Sequence, residues 1–119
     1  MLYAEDLREL REVMRLIVQA EGFSIETVED GDIALDRLAA NPDEFDLLIT
    51  DHHMPRVNGL ELVHRLSRTA FRGKVMVFSS ELDPAVHREY HRLGVSVILP
   101  KPIRPAVLRK ALRELLPAR

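Results

Sequence analysis

The run FDLLITDHHMPRVNGLEL, residues 45–62, drives an apolar segment straight into an acid, Asp51. Two histidines, Met54, Pro55 and, eight residues after the acid, Gly59 follow it. A carboxylate at the end of a core strand can cap or turn the chain, ligate a hard cation, or act as a covalent nucleophile. Taken alone, the capping role is the commonest, so the other two need partners elsewhere in the chain. The histidines offer a different chemistry. His52 and His53 are adjacent and are not expected to point the same way, which argues against a two-histidine metal site. His87 and His91 are four apart and can share a helix face, as helical zinc ligands do, but no glutamate follows His87 directly and no third ligand is evident. They read as a surface pair.

Composition narrows the setting. With 119 residues, 46% of them hydrophobic, the chain suits one domain over residues 1–119 with a real apolar core. Cysteine is absent, which excludes disulfides and thiolate metal sites and fits a reducing, cytoplasmic location. Neither a signal peptide nor a membrane span is expected from such short apolar runs. The net charge of −2 hides an asymmetry: residues 1–60 hold 14 acids against 5 Arg or Lys, and residues 61–119 hold 5 acids against 12. An acidic half is where a divalent cation would be sought, and a basic half suits docking or a phosphate neighbourhood. No helix-turn-helix, long basic run or aromatic RNA signature points to nucleic acid.

The elements that must position these residues alternate in period. MLYA opens as a short strand. Leu10, Val13, Met14, Ile17 and Val18 recur at helical spacing and stop at Gly22. FSIETV (23–28) reads as a strand, and Ala34, Leu35 and Leu38 as a helix closed by NPDE. FDLLIT is the third strand, and Leu62, Val63 and Leu66 mark the third helix. KVMVFSS (74–80) and VSVIL (95–99) are apolar on consecutive residues, as strands buried on both faces are. Between them Asp83 is a candidate N-cap, Pro84 the first helical residue and Gly94 the stop. Val107, Leu108, Ala111, Leu112 and Leu115 form a last helix. Five strands alternating with five helices imply an α/β fold with a parallel sheet and helices on both faces. In such sheets a site forms at the carboxyl ends of the strands. Those ends gather Glu5, Asp6, Asp51, Ser79, Ser80 and Lys101.

At these residues the chain resembles a response regulator receiver domain, the CheY-like phosphoacceptor module of two-component signalling. The resemblance rests on ED (5 and 6), EGF (21–23), DG (30 and 31), TDHHMPRVNGLEL (50–62), FSS (78–80) and LPKPI (99–103), in this order and spacing, and covers nearly the whole chain. It implies a doubly wound, flavodoxin-like sheet in the order 2-1-3-4-5. It also implies that Asp51 accepts a phosphoryl group from a phosphohistidine on a histidine kinase or phosphotransfer protein. Magnesium, with manganese as a substitute, would be held by Asp6, Asp51 and the backbone carbonyl of His53, with Glu5 acting through water. Lys101 and Ser79 would each meet a phosphoryl oxygen, and the Lys101-Pro102 bond is often cis in such domains. His53, Ile98 and Glu81 fall at modulatory positions, His53 as a tuner of phosphate lifetime. Such a domain is a slowly self-dephosphorylating phosphoacceptor more than a turnover enzyme. It signals to a downstream protein target, and can dimerise through the face built by the fourth helix, fifth strand and fifth helix.

Three departures from that pattern stand out. Glu5 is one methylene longer than the aspartate usual there. The first strand has four residues before the acidic pair and is expected to be frayed or truncated. Ile98 replaces the aromatic ring that commonly rotates as the switch, and Tyr90 is not expected to stand in for it. These departures favour a rival reading, a pseudo-receiver that binds proteins without regulation by phosphorylation. An independent magnesium phosphohydrolase would need a second acid-base group that the sequence does not place.

Overall fold

In a computed structural model, which describes residues 1–81 and 83–116, the chain alternates β1 (Leu2–Ala4), α1 (Arg8–Ala20), β2 (Glu26–Val28), α2 (Gly31–Ala40), β3 (Leu47–Asp51), α3 (Gly59–Leu66), β4 (Lys74–Ser79), α4 (Pro84–Arg92), β5 (Val97–Pro100) and α5 (Pro105–Leu115). The strands pair in parallel in the order β2-β1-β3-β4-β5, the expected doubly wound sheet. Alternation along each strand divides the core in two. Leu2, Ala4, Leu48, Val75 and Val77 face α2, α3 and α4, packing with Leu38, Leu62 and Tyr90. Tyr3, Leu47, Ile49, Met76 and Phe78 face α1 and α5, packing with Met14, Val18, Leu108 and Leu112. Because both faces are covered, β3 reads as an unbroken apolar run up to its closing acid. Among the described residues, no helix is long and apolar enough to cross a membrane.

Several expected boundaries shift, for local reasons. Phe23 was assigned to the second strand and Val95 to the fifth, yet β2 starts at Glu26 and β5 at Val97. Both residues finish the preceding helix instead. Gly22 and Gly94 adopt φ of 85° and 88°, and the N–H groups of Phe23 and Val95 return to the carbonyls of Val18 and Tyr90 at 3.2 and 3.1 Å. This is the glycine-terminated helix stop in which the residue after the glycine bonds back to the last turn. β1, expected to be frayed or truncated, is short but not frayed: its three residues are fully buried and pair with both β2 and β3. Val13, read as a core position of α1, is 43% exposed.

Gly59 explains its spacing from Asp51. Asn58 caps α3 by accepting from Glu61 N–H at 2.8 Å, and Gly59 N–H bonds the His52 carbonyl at 2.9 Å. A Cβ at this position would meet the Asp51 carbonyl oxygen at 2.5 Å and the Tyr90 hydroxyl at 2.8 Å. We expect Gly59→Ala to lower stability by about 1–3 kcal/mol through overpacking against backbone. The check is the urea midpoint; an unchanged midpoint would mean that α3 can slide away from the strand end without loss.

Candidate functional site

The carboxyl ends of four strands build the site. Glu5 directly follows β1, Asp51 closes β3, Ser79 closes β4, and Lys101 follows Pro100 at the end of β5. The register pairs Asp51 with Phe78 and Ser79 with Pro100, which sets these groups side by side. Asp51 is 2% exposed and Glu5 fully buried, while Asp6 faces solvent. Lys101 Nζ lies 2.6 Å from Asp51 Oδ1 and 3.5 Å from Glu5 Oε1, so one ammonium serves two carboxylates. The contact to Asp51 is an ion pair, and apart from this ammonium buried Oδ1 has no donor among the described residues. The Lys101-Pro102 peptide is cis, as the resemblance implied.

Electrostatics follow from this crowding. Burial pushes the Asp51 pKa up, opposed by Lys101. Glu5 is pushed up to about 7, first by burial, then by its hydrogen bond with Asp6 and the charge of Asp51. For Lys101, burial pulls downward, but pairing with Asp51 and Glu5 outweighs it and holds the ammonium above its ordinary value. Ligand oxygens of Glu5, Asp6 and Asp51 lie within 4.8 Å of one another. This all-oxygen set, with one orphaned buried oxygen and a single compensating ammonium, fits a hard divalent cation such as Mg2+.

Ser79 is buried, and its Oγ accepts from Glu81 N–H at 2.8 Å. His53 is exposed. Ile98 is half-buried and packs on the same core cluster as Tyr90. Two histidine expectations need correction. His52 and His53 do not diverge: their rings meet edge to face with centroids 4.7 Å apart, and ligand atoms of both come within 4.8 Å of Glu81. The β3 ladder ends at Asp51, so the backbone turns there and strand alternation no longer governs the pair. His87 does not join His91 at the surface; its Nε2 lies 2.8 Å from the Glu81 carbonyl oxygen.

Sequence reasoning missed three contributors. The Tyr3 hydroxyl donates to Glu5 Oε1 at 3.4 Å, and burial with the nearby carboxylates keeps the phenol protonated. The signal was present, since Tyr3 and Glu5 are two apart at a strand end. Arg11 donates to the backbone carbonyls of Glu5 and Asp6 at 2.9 and 3.1 Å, fixing the acidic turn. The Tyr90 hydroxyl, fully buried on α4, lies 2.5 Å from His52 Nδ1. No local pattern announces either of these two contacts.

Comparison with known proteins supplies the family and the fold. A family model for the response regulator receiver domain matches residues 1–113. The chain is 34% identical to the transcriptional regulatory protein CpxR of Escherichia coli K12, over 97% of this chain and 48% of that protein. It is 31% identical to the sensor histidine kinase AruS of Pseudomonas aeruginosa, over 95% of this chain and 12% of that protein. The chain thus spans about half the length of the first relative and a small part of the second. The chemotaxis protein CheY4 of Vibrio cholerae superposes with a TM-score of 0.80 at 27% identity, covering 97% of this chain and 96% of that one.

The raised Glu5 pKa carries a sign. Between the ordinary carboxylate range and about 7, the folded chain holds a proton that the unfolded chain has released, so stability falls as pH rises through that window. In metal-free buffer, the wild type should lose stability between about pH 5 and about pH 8 more steeply than Glu5→Gln, by urea titration. Parallel slopes would remove Glu5 as the source.

Proposed function

Because the chain belongs to the response regulator receiver domain family, we propose that it accepts a phosphoryl group on Asp51 from a phosphohistidine of a histidine kinase or phosphotransfer protein. The observation that carries this reading is Asp51 itself, buried at a strand end with Lys101 Nζ at 2.6 Å and two further carboxylates beside it. A carboxylate oxygen attacks phosphorus, the Asp51 O–P bond forms as the donor N–P bond breaks, and the donor imidazole leaves as the nitrogen base. Asp51, Asp6 and the His53 backbone carbonyl, with Glu5 nearby, would hold Mg2+ or Mn2+, which when bound supplies charge compensation for the phosphoryl oxygens. Lys101, already paired with the acceptor, pairs its ammonium with a phosphoryl oxygen once Asp51 carries the acyl phosphate. The Ser79 hydroxyl donates to another. The product is a labile modification of the chain itself, so this is a phosphoacceptor and not a conventional turnover enzyme.

The modified site then biases two conformations and is read by protein contact. With Ile98 in place of a ring, repacking around β5 is smaller than an aromatic rotation. The face of α4, β5 and α5 is the proposed surface for a downstream protein target or a second copy, with no direct role for nucleic acid or membrane. One relative is named a transcriptional regulatory protein and another a sensor histidine kinase, so a receiver of this type is at home beside an output domain or behind a kinase. Residues 1–119 are read as one receiver domain working in the cytoplasm. The second reading, a pseudo-receiver that binds proteins regardless of phosphorylation, is favoured by Ile98 and by Glu5, the departures that a buried β1 leaves standing.

Intact mass after incubation with acetyl phosphate and Mg2+ tests the acceptor. We expect one labile phosphoryl adduct in the wild type and none in Asp51→Asn or with a chelator. Lys101→Ala should form it at least about tenfold more slowly, because a charge on the moving oxygens goes uncompensated. His53→Ala should change the rate at which the adduct decays. If neither acetyl phosphate nor a phosphorylated kinase yields an adduct, the pseudo-receiver reading stands instead.

A further inference from the structure

Beside the acidic pocket, and sharing only His53 with it, lies a second cluster of different chemistry. His52 is 6% exposed, Glu81 is half-buried and His53 is exposed. One ligand atom from each falls within 4.8 Å of the others. Two imidazoles and a carboxylate are borderline-soft donors, the set that zinc takes and magnesium does not prefer.

The surroundings orient these ligands. His52 Nδ1 lies 2.5 Å from the buried Tyr90 hydroxyl, and the tautomer that an ion would select carries the proton on Nδ1, facing that oxygen, and the lone pair on Nε2. Holding the other ring nitrogen on an oxygen is how proteins fix the tautomer and direction of a metal-ligating histidine. Glu81 is held at three points. Its N–H donates to Ser79 Oγ at 2.8 Å, its carbonyl meets His87 Nε2 at 2.8 Å, and its Oε1 accepts from Asp83 N–H at 3.0 Å. One carboxylate oxygen therefore remains for a ligand. Tetrahedral zinc bonded at about 2.0–2.1 Å spaces its ligands about 3.4 Å apart. Rotation of the exposed His53 ring is the available movement for closing the cluster to that spacing.

We propose that His52, His53 and Glu81 form a binding site for a zinc-class divalent cation, with three protein ligands and one open position. An ion there ties the loop after β3, which follows Asp51, to the loop after β4, which follows Ser79. It also rests on the Tyr90 contact to α4.

The test uses the untagged full chain with Co2+ as a spectroscopic probe in excess Mg2+. We expect one equivalent of Co2+ to give the strong visible absorption of a four-coordinate site, and stoichiometric Zn2+ to displace it. Affinity should fall at least tenfold in His53→Ala and in Glu81→Gln, and hold in Asp6→Asn and His91→Ala. The absence of a four-coordinate band in the wild type overturns the proposal, as does a band that survives both His53→Ala and Glu81→Gln. A band abolished by Asp6→Asn would also overturn it, by placing the ion in the acidic pocket.

Discussion

One ammonium holds the carboxyl edge of the sheet together. Lys101 stands between the buried carboxylates of Asp51 and Glu5, at 2.6 and 3.5 Å. A buried carboxylate without compensation is costly, and two side by side more so. Burial first, then the hydrogen bond with Asp6 and the charge of Asp51, raise Glu5 toward neutrality against the pull of the single lysine, and Tyr3 supplies a further donor. The constraint reaches outward through the backbone. β5 must end where its lysine can enter the site, β1 must stop where Glu5 can turn inward, and Arg11 clamps that turn through its carbonyls. The incomplete neutralisation is also what makes the pocket receptive: an arrangement short of positive charge is suited to receiving a cation.

Much of this was legible in the sequence because the signals were local. Consecutive apolar residues in FDLLIT and KVMVFS declare strands covered on both faces, Asp83-Pro84 declares a helix start, and Asp51, Ser79 and Lys101 each stand at a strand end that topology brings together. What was illegible depended on where the backbone turns. Phe23 and Val95 look like strand residues, but the glycine before each recruits it to close a helix. His52 and His53 look divergent only if strand geometry continues past Asp51, and it does not. The Tyr90 to His52 contact joins residues 38 apart in sequence, so no periodicity could reveal it.

That contact is made by the large aromatic of this region. Ile98 gives the fifth strand a branched aliphatic side chain, and the ring packed in the same cluster is Tyr90 on α4, fully buried. Its hydroxyl abuts His52, the residue next to Asp51, and the tight approach of Gly59. The residue that follows β3 and α4 are therefore in direct polar contact across the core.

The outer strands have a consequence of their own. β2 is three residues long and β5 four, the latter ending on Pro100, which lacks an N–H. Short rims of this kind, with a proline at one end, offer little free backbone for another chain to extend the sheet. The fold is thereby guarded against the cheapest form of misassembly, strand-by-strand aggregation. Its associations are left to side chains, where specificity can be written.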